Sequence, residues 1–210
     1  MSTSSWLCGF LRRFSRVRGR DAGQGRDGLP PVDPKEFRRV VGLFATGVTV
    51  VTAASNGGVR GMTANAVMSV SLDPLLVCVS VGRQARMNKV LAGARGFAIN
   101  ILTDGQRALS QYFAGLWQGP PPDYRVETWI GGPRLVGSLA SIGCAVQDVL
   151  DGGDHRLFVG RVLAVHRSEG QLSPLLFFGG RYHRLPEPET APRDPVEVWK
   201  PEEVQIFYGE

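Results

Sequence analysis

Cysteine is scarce in this chain of 210 residues, and the usual metal and disulfide patterns are missing. The three cysteines are Cys8, Cys78 and Cys144, none of them in a C-x-x-C pair, and no histidines cluster at ligand spacing. This pattern argues against a disulfide framework and a zinc site, and we expect no bound metal. Cys78 lies in the apolar run 75–79, which predicts that it packs as a small hydrophobic side chain.

Long hydrophobic runs are missing as well. No apolar stretch approaches the ~20 residues of a membrane-spanning helix, so we expect a cytoplasmic protein without stable membrane insertion. Residues 1–29 carry six arginines against two aspartates, whereas residues 186–210 carry seven acids against two bases. We interpret 1–32 as a basic, disordered arm, with targeting or contact with a membrane surface as alternatives. Residues 186–210 form a Pro-rich acidic tail, which leaves one domain at 33–185.

The common catalytic motifs are also missing. The chain has no Walker loop, no G-x-S-x-G elbow, no G-x-G-x-x-G after a predicted strand and no H-E-x-x-H. If the chain is an enzyme, a bound cofactor therefore supplies its reactivity. The net charge of +5 suits phosphate-bearing ligands, but the bases are scattered, so we expect no nucleic-acid partner.

Glycine and proline, in contrast, are plentiful, with 27 and 14 residues that divide the chain into short segments. About seven apolar segments predict strands joined by hairpins, with helices starting near Asp33, Gln84 and Asp104. Asp33 and Glu36 predict a capping box for the first helix, whose apolar pattern runs to Gly47. Asp104 is the predicted cap of the third, and 117–137 is predicted to be a long loop. The expected fold class is mainly β with flanking helices, an antiparallel and Greek-key-like barrel.

Polar side chains alternate along one predicted bend between strands. Thr63, Asn65, Ser69 and Ser71 have the spacing to face one side and to contact the polar edge of a planar heterocycle. The alternative is that they are ordinary polar positions on a half-exposed strand. Spacing alone does not distinguish the two.

Basic residues surround the start of the second predicted helix. Arg83, Arg86 and Lys89 follow Gly82, and free helix N–H groups beside arginine side chains can bind phosphate. The alternative is a solvated basic helix end.

One ionisable pair, Asp154 and His155, stands at the mouth of an apolar strand, directly after a glycine-rich turn. The pair could act as a general acid and base, or the imidazole could donate a hydrogen bond to a ligand. A third possibility is a structural turn in which Asp154 caps backbone N–H groups.

Five segments, in order, resemble one family: the flavin reductases of two-component monooxygenases, which have the FMN-binding split-barrel fold. The segments are FRRVVGLFATGVTVVT (37–52), GMTANAVMSVSLDP (61–74), FAINIL (97–102), GDHRLFVGRV (153–162) and GGRYHRL (179–185). The chain departs from the family pattern in having a single proline, Pro74, after Asp73, and a more basic stretch at 82–88.

The resemblance implies a reaction and its partners. It implies reduction of FMN or FAD by NADH or NADPH in a homodimer that supplies reduced flavin to a separate monooxygenase. One alternative is an oxidoreductase that keeps its flavin tightly bound and acts directly on a small organic substrate. The other is a non-catalytic flavin-binding or docking module.

The resemblance also implies roles for particular residues. His155, beside Asp154, would meet the nicotinamide nucleotide, and Tyr182 would lie close to the stacked rings, so these are the candidate catalytic residues. The implied flavin-binding residues, from the isoalloxazine ring through the ribityl chain to the phosphate, are Thr63, Ala64, Asn65, Ser69, Val70, Ser71, Ser80, Val81 and Arg86. Asp154 is a further implied cofactor-binding residue.

Overall fold

The computed structural model describes residues 30–56, 58–170 and 172–186. Its three helices are α1 (Pro34–Val41), α2 (Arg86–Gly93) and α3 (Arg107–Phe113). Its strands are β1 (Thr46–Gly47), β2 (Thr49–Ser55), β3 (Gly58–Ala64), β4 (Val67–Leu72), β5 (Leu75–Gly82), β6 (Gly96–Ile101), β7 (Val126–Glu127), β8 (Arg134–Leu135), β9 (Ala140–Gly152), β10 (His155–Arg167), β11 (Leu176–Phe178) and β12 (Arg181–His183). Nearly all of the predicted arm and tail lie outside the described residues, so the domain boundaries stay a prediction.

Seven strands form one antiparallel sheet in the order β3-β2-β6-β9-β10-β5-β4. The edge strands β3 and β4 follow each other in sequence with only Asn65 and Ala66 between them, so the two edges approach and the sheet curves towards a barrel. β1, β11 and β12 form a second, three-stranded sheet. The predicted class, mainly antiparallel β with flanking helices, is confirmed. The predicted loop 117–137 differs in containing the short hairpin β7–β8.

The core lies on one side of β5. Val77, Val79 and Val81 are buried there, in a cluster that includes Phe97 and Phe158. Because successive side chains of a strand point to opposite faces, the intervening positions of β5 face outwards, towards α1. This alternation determines which residues can meet a ligand.

The first helix begins as predicted but ends earlier. The Asp33 side chain accepts a hydrogen bond from the Lys35 N–H. The predicted capping box is wrong in its second half, because the Glu36 carboxylate pairs with Arg39 at 3.0 Å. The helix ends at Val41, since the chain then turns to give β1, which pairs with β11.

The cap predicted before the third helix is displaced by one residue. Asp104 is the first residue of a short 3₁₀ turn, Asp104–Gln106, that leads into α3. The preceding Thr103 is the cap, and its N–H donates to the Gln106 side chain at 3.0 Å. Asp104 instead donates its own N–H to the Ser173 carbonyl.

Candidate active site

A cavity of about 550 Å³ lies between α1 and the outer face of the sheet, and we call it the helix–sheet cavity. Its volume is in the range of cofactor sites, roughly 300–1,000 Å³. The lining residues are Phe37, Arg38, Val41, Gly42, Phe44, Thr46, Asn65, Ala66, Val67, Met68, Cys78, Ser80, Leu157 and Phe177.

The floor of the cavity follows from strand pairing. Cys78 and Ser80 face it from β5, and Leu157 of β10 pairs directly with Ser80. Burial raises the pKa of the Cys78 thiol, so the side chain stays protonated and packs as a small hydrophobic group, as predicted.

One buried hydroxyl in the cavity wall has no partner among the described residues. This is Oγ1 of Thr46, which lies in β1. An unpaired buried hydroxyl is costly, and native structures normally satisfy such a group. A ligand with a polar edge would supply the missing hydrogen bond. Apolar walls with a few polar groups, Thr46, Asn65 and Ser80, therefore fit a flavin ring.

Asp154 and His155 form a corner at the end of the same sheet face. Gly153 and Asp154 make a two-residue turn, in which Gly153 adopts a φ of 70° that favours glycine. His155 begins β10 opposite Gly82 and, by alternation, shares the face of Leu157. The corner thus borders the helix–sheet cavity, although His155 does not line it.

The electrostatics of this corner orient the imidazole. His155 Nδ1 lies 2.7 Å from Asp154 Oδ1. This hydrogen bond, and then the charge of His155, hold the pKa of Asp154 below its usual value, and the charge of Arg38 in the cavity wall acts in the same direction. The ionised carboxylate accepts from Nδ1–H, which leaves Nε2 free to contact a ligand.

Of the predicted flavin-binding residues, Asn65 and Ser80 line the helix–sheet cavity. Ala64 is buried at the end of β3, and Thr63 Oγ1 donates to the Ser110 carbonyl instead. The Val81 side chain is in the core, so only its backbone could face a ligand. Ser69, Val70 and Ser71 lie further along β4 at a register shift and do not line the cavity.

The predicted basic cluster at 83–89 is divided. Arg83 Nε donates to the Gly153 carbonyl at 2.8 Å, and its Nη2 donates to Asp151 at 2.6 Å. Arg86 and Lys89 are exposed on α2, as a phosphate contact would require.

Tyr182 does not line the helix–sheet cavity, but it contacts a residue that does. Its ring packs edge-on against Phe177, which lines the cavity, with centroids 5.4 Å apart. Its hydroxyl lies 2.9 Å from Ser110 Oγ, and the Arg107 guanidinium lies over its ring at 5.2 Å. Tyr182 therefore supports the cavity wall, and it lines a separate, smaller cavity of about 260 Å³.

Sequence reasoning missed several cavity residues. Leu157 could have been found, because it lies two positions after His155 on one strand and therefore on the same face. Thr46 and Phe177 gave no local signal, since they meet only through the pairing of β1 with β11. Phe37 and Arg38 were predicted to be helical, but the sequence did not say what the helix covers.

One family model matches most of the domain: the flavin reductase like domain, over residues 41–186. The chain belongs to this family. The predicted family, the split-barrel fold and the enzyme class, an oxidoreductase that reduces flavin, are thereby confirmed, and so are the predicted flavin and nicotinamide cofactors.

The match to each of the following relatives extends over nearly the whole of that relative. The NADH-dependent FMN reductase AsuE2 of Streptomyces nodosus subsp. asukaensis is 39% identical over 181 residues, 83% of this chain and 97% of the relative. The reductase component of 4-hydroxyphenylacetate 3-monooxygenase of Thermus thermophilus is 40% identical over 149 residues, 71% and 95% of the two chains. A Streptomyces globisporus NADH:FAD oxidoreductase, solved with NAD and FAD fragments, is 37% identical with a TM-score of 0.68, covering 77% and 100%.

Proposed function

We propose that this flavin reductase takes hydride from NADH, delivers it to FMN or FAD held in the helix–sheet cavity, and supplies reduced flavin to a separate monooxygenase. The observation that carries the proposal is the apolar cavity bordered by the Asp154–His155 corner, in which the Thr46 hydroxyl has no partner among the described residues. The relatives named as NADH-dependent reductases and as a monooxygenase component support the reductant and the partner.

In this proposal the protein positions two ligands and excludes water. Bound flavin supplies the hydride acceptor. Thr46, Asn65 and Ser80 hold its polar groups, and His155 Nε2 contacts the nicotinamide nucleotide. Fixing two reactants in a productive geometry can contribute up to ~7–11 kcal/mol. Exposed Arg86 is the candidate for a phosphate contact.

The test is a steady-state matrix of NADH and NADPH against riboflavin, FMN and FAD. We expect turnover of NADH with FMN or FAD, followed as loss of nicotinamide absorbance, because the cavity accepts the ring that these flavins share. Catalase and anaerobic controls separate enzymatic flavin reduction from reoxidation by oxygen. Lack of turnover with every pair would refute the proposal.

Gel filtration and flavin binding, measured beside the matrix, separate the alternatives. A yellow protein that keeps its flavin through gel filtration would favour the oxidoreductase with tightly bound flavin. Flavin binding without oxidation of either nicotinamide nucleotide would favour a docking module. NADPH use and a cytoplasmic location remain predictions, which the matrix and cell fractionation test in turn.

We further propose the predicted homodimer, with the outward side of α1 at its interface. No residue of α1 is buried. Val40, and Leu43 just beyond the helix, are 60% and 63% exposed, and neither lines the helix–sheet cavity. A cluster of exposed large apolar side chains is typical of a protein interface. In the described part of the chain, no helix has the length and hydropathy to cross a membrane.

Val40→Glu is expected to convert the dimer into a monomer. Val40 is exposed and does not line the helix–sheet cavity, so the variant places a charge in the interface and leaves the flavin site intact. Burying an unpaired carboxylate costs several kcal/mol, which corresponds to at least about a hundredfold weaker dimer. Light scattering after gel filtration measures the mass. Val59→Glu, at an exposed position of β3, is the matched control, and equal masses for both variants and the wild type would contradict this interface.

A further inference from the structure

We propose that Arg83 is a positioning residue that fixes the Gly153–Asp154 turn and thereby aims His155 at the nicotinamide nucleotide. The inference rests on the proposed role of His155. It assigns Arg83 no contact with either ligand.

Three hydrogen bonds join Arg83 to the hairpin that ends in this turn. Its backbone N–H donates to the Asp154 carbonyl at 2.9 Å. Its side chain reaches across the turn. Nε donates to the Gly153 carbonyl at 2.8 Å, and Nη2 donates to Asp151 Oδ1 at 2.6 Å. Arg83, the residue directly after β5, therefore contacts both residues of the turn and also the strand β9 that leads into it.

Apart from the pairing of β9 with β10, the turn has little else to hold it. Residues 147–154 are all exposed, so apolar packing contributes little at the end of the hairpin. His155 is oriented by Asp154, whose side chain is 93% exposed, and its cross-strand neighbours are Gly82 of β5 and Gly152 of β9. Neither glycine has a side chain to support the imidazole. Arg83, the residue directly after β5, instead holds the turn that precedes it.

A direct phosphate contact is the competing role for Arg83. Its guanidinium is already engaged through Nε and Nη2, and the Nη2 partner is a carboxylate, which offsets its charge towards a phosphate. Arg86 and Lys89, which are exposed on the next helix, are the candidates for a phosphate contact. The contacts of Arg83 thus favour positioning.

The two roles give different double-mutant results. We compare the wild type with Arg83→Ala, Arg83→Lys, His155→Ala and the Arg83→Ala/His155→Ala double variant. The readouts are the KM values for NADH and flavin, and the Kd of NAD⁺ by calorimetry. Arg83→Ala should raise the NADH KM and the NAD⁺ Kd about tenfold, the effect of losing a well-placed hydrogen bond to the ligand. The flavin KM should stay within about twofold.

A positioning residue acts through its target, so the double variant should bind NAD⁺ no more weakly than His155→Ala alone. Lysine cannot reproduce the arginine fork and should recover little of the affinity. If Arg83 bound phosphate directly, the two single effects would multiply and lysine would restore most of the binding. Either result would overturn the inference.

Controls separate the remaining outcomes. Arg167→Ala, at the exposed far end of β10, removes the same side chain away from the turn and should change none of the constants. If His155→Ala impairs NAD⁺ binding and Arg83→Ala does not, the inference on Arg83 alone fails. If His155→Ala has no effect, the assignment of His155 fails with it, whereas flavin reductase activity itself is unaffected by that result.

Discussion

Ser80→Trp is expected to abolish flavin binding. Ser80 lies at the floor of the helix–sheet cavity, half-buried and paired with Leu157. An indole at this position would fill the space that the flavin ring needs, under α1, where rigid strands prevent the floor from receding. We expect the flavin Kd, measured by quenching of flavin fluorescence, to rise at least about a hundredfold.

Ser80→Ala separates loss of space from loss of the hydroxyl. It should weaken flavin binding only about fivefold, the effect of one hydrogen bond. Leu157→Trp fills the cavity from the paired position on β10 and provides an independent test if Ser80→Trp folds poorly. Flavin binding by both tryptophan variants at wild-type affinity would show that the flavin site lies elsewhere, and Ser173→Trp, at an exposed loop position, controls for the added aromatic group.

The site was predictable where local pattern alone determines it. The valine-rich run of β5 predicted a buried strand, and the glycine-rich turn before His155 predicted a hairpin with a polar end. Both are observed. The face of β5 that meets the ligand was not predictable, because alternation gives two faces and only the position of α1 decides which one encloses a cavity.

Tyr182 shows why local pattern did not suffice. The turn at Gly179–Gly180 was predicted, and both glycines adopt positive φ, 55° and 77°. The Tyr182 hydroxyl, however, contacts Ser110, 72 residues away in sequence. Such a contact depends on how α3 packs beside the β11–β12 hairpin, and no short-range pattern encodes it.

Asn100 likewise depends on contacts distant in sequence. It is a lone amide in the apolar strand β6, and its side chain is fully buried. Nδ2 donates to the Val50 carbonyl at 2.9 Å and to Thr52 Oγ1 at 3.0 Å. Oδ1 accepts from the Leu135 N–H at 2.9 Å and from Ser141 Oγ at 3.0 Å. Partners on β2, β8 and β9 satisfy the amide completely, and they come together only in the fold.

Asn100→Leu is therefore expected to be strongly destabilising. Leucine has a similar size, so packing is nearly conserved, but up to four buried polar groups lose a partner at about 1–3 kcal/mol each. Since some will find other partners, we expect a loss of roughly 3–6 kcal/mol, a large part of the ~5–15 kcal/mol that stabilises a typical domain. At roughly 2–4 °C per kcal/mol, the melting temperature should fall by about 6–24 °C.

Calorimetric melting and urea unfolding measure the loss, with Gln147→Leu on the exposed part of β9 as the matched control. Asn100→Asp is the sharper comparison. It keeps the oxygen that accepts from Leu135 and Ser141, removes the two N–H donors and adds a buried charge. It should be at least as destabilising as leucine. Below its melting temperature, Asn100→Leu should bind flavin with near wild-type affinity, because Asn100 does not line the helix–sheet cavity. A stability within about 1 kcal/mol of the wild type would show that these buried groups find other partners, and that the amide network does not hold β2, β8 and β9 together.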